Sequence, residues 1–246
     1  MRRPALLIGV LLVLAGCGGA PDPPKAVDLP FTPAGEGMEE AAAAAKAPSG
    51  RYLTAQLMTP AILRASPGGR ALHRLGVRTE FGSRRVLSVT ARRSGWLAVI
   101  APERQNGRIG WIPARRARLG STNWSIHVDR SARRLTLRHG GRRERSFPVA
   151  VGRPGTETPT GRFAITDKLH PADPGSPYGC CAVALSGHQT KLIDGWPGGD
   201  RLAIHATPNV ETVGKAASLG CMRARTADVR RLMRTVPVGT PVFVRS

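Results

Sequence analysis

Cys221 and His205 are the two residues of this chain best suited to covalent chemistry. Cys221 lies in Ser218-Leu219-Gly220-Cys221-Met222-Arg223, just after a glycine, two residues before an arginine and shortly before a helical pattern. A free thiol titrates near ~8.5 and is lowered by helix N-termini and nearby cations, so the setting predicts a sulfur poised toward thiolate. Gly220 allows close backbone approach, and its N–H, with that of Cys221, can point at a developing oxyanion. His205 supplies a base, in the strand-like run Leu202-Ala203-Ile204-His205-Ala206, sixteen residues before the cysteine. Together they predict a cysteine nucleophile served by a histidine base. The spacing alone is weakly specific, and the bland alternatives are an inert buried thiol and a core histidine.

Cysteine count sharpens the case for Cys221. Arg2 and Arg3 precede an apolar run from Ala5 to Val13 that ends in Leu14-Ala15-Gly16-Cys17. This reads as a signal peptide over residues 1–17, since the run falls well short of the ~20 apolar residues a spanning helix needs. The small residues before Cys17 match a lipoprotein processing box, so Cys17 is expected to be acylated, with two or three chains needed for stable anchoring. The protein is therefore expected outside the cell, on the outer face of the membrane. Setting Cys17 aside leaves Cys180, Cys181 and Cys221, an odd number in an oxidising compartment, so at least one thiol has no intramolecular partner. Neighbouring Cα atoms are ~3.8 Å apart, below the ~4.4 Å a disulfide usually spans, so Cys180 and Cys181 are expected as buried small residues rather than a bridge.

The chemistry needs elements to position it, and these divide the chain into a tether and two β units. Residues 18–52 are rich in Ala, Pro, Gly and Glu and read as a flexible linker, with a short helix through Ala41–Ala45 as the alternative. Residues 53–120 show short apolar runs, Val86–Val89, Trp96–Ile100 and Gly110–Pro113, broken by turn signals at Ser66–Gly69 and Gln105–Gly107, which predicts a small β domain. Trp96 and Trp111 read as packing residues before they read as a binding platform. Residues 122–246 predict a second, mostly antiparallel domain. Its strands are Trp124–Asp129, Arg134–Arg138, Phe147–Gly152, Arg162–Thr166 and Thr240–Val244, and Gly140-Gly141 forms a hairpin turn. One helix is predicted, with Thr226 as N-cap, Asp228 in the first turn, Val229, Leu232 and Met233 on one face, and Pro237 as its stop. No repeat, metal-ligand spacing or cofactor motif occurs.

Taken in order, these segments resemble a known family. Ile204-His205-Ala206 followed by Ser218-Leu219-Gly220-Cys221-Met222-Arg223 is similar to the catalytic signature of the YkuD-type L,D-transpeptidases. Thr158-Pro159-Thr160-Gly161 resembles that family's Thr-Pro-x-Gly turn, and Val238-Gly239-Thr240-Pro241-Val242 its carboxyl-terminal strand. Residues 53–120 resemble a bacterial SH3-like module, which implies attachment to wall peptide or glycan. The fold implied is mostly β: a small SH3-like β-barrel, then a YkuD-type β-sandwich or mixed-sheet domain with one short helix. The resemblance implies that Cys221 attacks a tetrapeptide stem of peptidoglycan, releases D-Ala, and passes the acyl group to a second stem as a 3→3 cross-link. Hydrolysis on the same scaffold and a non-catalytic wall-binding lipoprotein are the alternatives. Carbapenem β-lactams are expected to acylate the same sulfur. Arg223 is expected either to hold a stem carboxylate or to shape the turn, and Ser218, Tyr178, Ser186, Gly187 and His188 are further candidate pocket residues. Ala206 and Leu219 depart from the signature, standing where the family has glycine and histidine.

Composition bounds the partners. The 246 residues carry 37 Lys and Arg against 16 Asp and Glu, for a formal charge of +21. An exported location removes nucleic acid as a partner, and the arginines lack interleaved aromatics for base stacking. A basic surface outside the membrane suits anionic wall polymers; a codon bias toward Arg on a solvated surface accounts for it equally well.

Overall fold

The computed structural model describes residues 50–193 and 198–246. The expected signal peptide, Cys17 and the linker up to residue 49 lie outside the described residues.

The described chain is mostly β, with one α-helix. Its first sheet contains β1 (Tyr52–Leu57), β2 (Ala61–Arg64), β3 (Ala71–Leu75), β4 (Val86–Arg93), β5 (Trp96–Ile100), β6 (Gly110–Pro113) and β7 (Ala117–Thr122), in the order β3-β2-β6-β5-β4-β1-β7. Leu63, Leu75, Leu87, Leu97 and Ile112 are its fully buried core. The polar strand β7 has no apolar pattern of its own; it forms because β1 pairs with it along its whole length, from Tyr52↔Thr122 to Leu57↔Ala117. Trp111 is buried in this unit, whereas half-buried Trp96 walls a surface cavity of about 500 Å³ with Arg64, Arg74 and Arg115.

The second sheet follows directly. Its strands are β8 (Trp124–Asp129), β9 (Arg134–His139) and β10 (Arg142–Pro148), then, past the short β11 (Val151–Gly152), β12 (Gly161–Leu169), β13 (Ala182–His188) and β14 (Arg201–Ala206). After β15 (Ala216–Ser218) come β16 (Met222–Ala224), α1 (Thr226–Thr235) and β17 (Pro241–Arg245). The order is β10-β9-β8-β17-β12-β13-β14-β16, and β11 and β15 pair separately. The sheet is mixed, because β17 runs parallel to β8 and β16 parallel to β14. Gly140 and Gly141 turn the β9–β10 hairpin with φ of +55° and +79°, the left-handed pair that tight hairpins require. The strand expected at Phe147–Gly152 instead begins at Arg142: β10 is an edge strand, so Arg142 to Arg145 stay in solvent while only Phe147 reaches the core. In α1, Arg225 rather than Thr226 is the N-cap, without a side-chain bond, and Val229 and Leu232 are buried. Asp228, in its first turn, holds Arg145 at 3.1 Å across to β10.

Two loops of the first sheet dock on the strands that carry the candidate site. Asn106 donates its amide to the His188 carbonyl (2.7 Å) and accepts the His188 N–H (2.9 Å). The His188 ring bonds the Pro102 carbonyl through Nε2 (2.6 Å) and Asp200 through Nδ1 (2.8 Å). Thr79 donates to buried Asp167 of β12 (2.5 Å), and Arg201, at the start of β14, pairs with Glu80. Asn106→Ala strips two partners from the His188 backbone and is expected to cost about 1–3 kcal/mol, read as a fall in unfolding midpoint with unchanged spectra.

Candidate active site

Parallel pairing of β14 and β16 brings the two chemical residues together. The register sets His205 opposite Arg223 and Ile204 opposite Met222. Side chains alternate along a strand, so Cys221, two residues before Arg223, shares a face with Ala203 and His205. His205 is 4% exposed, and Cys221 is half-buried with its sulfur enclosed. Both wall one cavity of about 250 Å³, with Tyr178, Leu219 and Arg223 around them. The Tyr178 ring stands edge-on to the imidazole at 4.9 Å between centroids.

The turn bearing Cys221 is held from three sides. Ser218 Oγ accepts the Gly220 N–H (3.1 Å) and donates to the Cys221 carbonyl (2.6 Å). Thr158 Oγ1 donates to the Gly220 carbonyl (2.7 Å) while accepting the Gly152 N–H (2.9 Å). Buried Gln189 donates to the Leu219 carbonyl (2.8 Å) and to the Thr156 carbonyl (3.1 Å). Gly220 has φ +123°, and a Cβ there would sit 2.2 Å from Gln189 Nε2, so backbone conformation and close packing both demand glycine. Thr158→Val keeps the shape and leaves a carbonyl and an N–H unpaired; kcat is expected to drop about 10- to 100-fold with smaller change in KM, by displacement of the sulfur.

Protonation follows from burial. Desolvation pushes His205 down to about 4, opposed by its bond to Ala206 and aided by the Arg223 charge, so the ring is neutral at pH 7. Its Nδ1 lies 2.6 Å from the Ala206 carbonyl, which only accepts; the proton is therefore on Nδ1, and Nε2 carries the lone pair a base needs. Burial raises the Cys221 thiol, only partly offset by the Ala203 N–H and by Arg223. The expectation of a thiolate-poised sulfur is therefore corrected: burial outweighs the Arg223 cation. The resting pair is neutral thiol and neutral imidazole. Burial, and next Cys221, raise Tyr178.

The other candidates divide: Ser218 lines the cysteine cavity with Tyr178, whereas Ser186, Gly187 and His188 do not. The Gly220 N–H, expected to face an oxyanion, is consumed by Ser218, whereas the Cys221 N–H takes no partner among the turn and loop bonds of the described residues. Ser218 thus shapes the turn. Ser186 and Gly187 do not line the cysteine cavity: Ser186 Oγ accepts the Ala164 N–H (3.0 Å), and a Cβ on Gly187 would meet Phe163 at 2.5 Å. His188 belongs to the docking contact described above. Cys180 and Cys181, expected apart, are bonded to each other, which leaves Cys221 the free cysteine among the described residues. Ala206, in place of glycine, fits because its methyl faces Gly179, whose missing Cβ would lie 2.8 Å away. Sequence reading overlooked Gln189; a lone glutamine in a loop carries no periodic signal, and only the Gly220 contact reveals it. No group of three or more potential metal ligands occurs among the described residues.

The chain is similar to known proteins over its carboxyl-terminal half. Residues 123–244 match the YkuD family, described as the L,D-transpeptidase catalytic domain. YkuD of Bacillus subtilis (strain 168), named for L,D-transpeptidase activity, is 36% identical over 121 residues, covering 49% of this chain and 65% of that protein. The chain thus spans just under two thirds of YkuD's own length. YqjB of the same strain, named likewise, is 32% identical over 126 residues, covering 48% of this chain and 69% of that protein. The crystal structure of an L,D-transpeptidase from Mycobacterium tuberculosis H37Rv superposes with a TM-score of 0.43 at 18% identity, covering 56% of this chain and 72% of that one.

Proposed function

Because the chain belongs to the YkuD L,D-transpeptidase family, we propose that it cross-links peptidoglycan stems by acyl transfer through Cys221. The supporting observation is that the Cys221 thiol and the His205 imidazole wall one cavity from adjacent parallel strands, with the ring proton held on Nδ1. His205 Nε2 takes the thiol proton as the sulfur attacks the carbonyl carbon of the diaminopimelate residue in a tetrapeptide stem. The Cys221 N–H donates to the oxyanion that forms. Collapse breaks the C–N bond; the imidazolium, a strong acid at its lowered pKa, protonates the departing D-Ala amine. The side-chain amine of a second stem then attacks the thioester and expels the sulfur, giving a 3→3 link. Transfer to an amine rather than to water requires that the seated stems exclude solvent from the thioester. Arg223 gives that cavity a positive wall for a stem carboxylate.

In the same reading the first sheet is an SH3-like module that holds the enzyme against wall peptide or glycan. Residues 1–17 deliver the protein outside the cell, and acylated Cys17 anchors it to the outer face of the membrane. The basic surface draws it to anionic wall polymers.

Incubation with disaccharide tetrapeptide, read by mass, tests the proposal. A dimer lacking one D-Ala is expected. A tripeptide monomer would redirect the reading to hydrolysis, and unchanged substrate with wild type as well as with Cys221→Ala would leave only a binding protein.

A further inference from the structure

A second cavity, of about 420 Å³, lies between the two sheets and takes no part in the cysteine chemistry. Its floor is apolar, with Ile100 and Ile109 from the first unit facing Phe163 and Phe243 from the second. Its rim is cationic, formed by Arg104, Arg108, Arg162 and Arg245, with no carboxylate among the described lining residues. Arg245 is paired with Asp129 (2.9 Å), and the Arg162 guanidinium lies over the Phe243 ring at 5.5 Å. Arg104 and Arg108 have no ion-pair partner among the described residues. Burial, then Arg108 and Arg70, push the Arg104 guanidinium below its ordinary range. The Arg104 and Arg108 guanidinium groups thus face an apolar floor with no carboxylate among the described lining residues, and planar forks of this kind match carboxylate and phosphate oxygens.

We propose that this cavity binds an organic anion, a carboxylate or phosphate held by Arg104 and Arg108 with its apolar body against Phe163 and Phe243. Ser186, singled out in the sequence and absent from the cysteine cavity, lines this one. Asn106 lines it as well and is bonded to His188, so an occupant spans the loop of the first sheet and the strands of the second. Occupancy therefore fastens the two sheets together and raises the unfolding temperature.

Calorimetric titration of the full chain with phenyl phosphate, benzoate and neutral benzyl alcohol tests the site. One equivalent of at least one anion is expected to bind and to raise the unfolding midpoint, with benzyl alcohol at least about 10-fold weaker. Preference for phenyl phosphate assigns a phosphate source to the natural ligand, and preference for benzoate a carboxylate source. Arg104→Gln/Arg108→Gln is expected to weaken binding at least about 10-fold, and Arg92→Gln, on the exposed end of β4, to leave it unchanged. Arg104 Nε also bonds the Ile109 carbonyl (3.3 Å), so Arg108→Gln alone, expected to weaken binding as well, guards against a disturbed loop. Equal affinity in wild type and both Arg variants, equal affinity for benzyl alcohol, or no binding up to about 10 mM overturns the proposal.

Discussion

Cys221→Ala is expected to abolish both dimer formation and the covalent mass adduct with a carbapenem, a loss of at least about 1,000-fold in turnover. The sulfur is the free thiol among the described residues, because Cys180 and Cys181 are bonded to each other. No neighbouring thiol there can stand in for it. Cys221→Ser keeps the turn and its Ser218, Thr158 and Gln189 bonds but offers a far weaker nucleophile, so it too is expected to be inactive while folding normally. Because enclosure raises the thiol, iodoacetamide should label Cys221 slowly at neutral pH and faster as pH climbs. Rapid, pH-independent labelling at pH 6 would show an ion pair at rest and overturn the neutral-pair mechanism.

Replacing the base is expected to have nearly as large an effect. His205→Gln should lower kcat/KM by about 100- to 10,000-fold, the range general bases supply. The pH profile separates loss of a base from loss of shape. In wild type, kcat/KM should stay level down to the region near pH 4, where the imidazole takes a proton, rather than falling near its ordinary 6.5. In His205→Gln that acidic limb should vanish, and the residual rate should climb with pH as thiolate forms unaided. Stability carries the matching sign. The unfolded chain protonates this ring near 6.5 and the folded chain only near 4, so stability is full above 6.5 and is lost as pH falls toward 4, by about 3 kcal/mol for this buried group. His127, lowered to about 4 by burial and then by Arg138 and Arg245, adds in the same direction.

Much of this was readable from residue order, for identifiable reasons. A short apolar run marked Trp96–Ile100, alternation marked Trp124–Asp129, and paired glycines marked the β9–β10 hairpin, because all three signals are local. The polar strand β7 and the charged start of β10 were hidden, since their formation depends on partners distant in sequence. At the site, Cys221 and His205 stood out by type and motif. The protonation state did not: helix and cation are visible in a sequence, whereas enclosure of the sulfur is a property of packing. Thr158 looked like part of a turn motif, and its bond to the Gly220 carbonyl gives that motif a physical purpose. Ser186, Gly187 and His188 sit close to the site along the chain yet on a different wall of the fold.

The reciprocal amide pairing of Asn106 with His188, and the grip of Glu80 on Arg201, limit how this protein can be recombined. Arg201 opens the strand that carries the base, and its carbonyl accepts the cysteine S–H at 3.8 Å. A chimaera that grafts a foreign amino-terminal module onto residues 122–246 therefore strips outside support from the very strand that aims the imidazole.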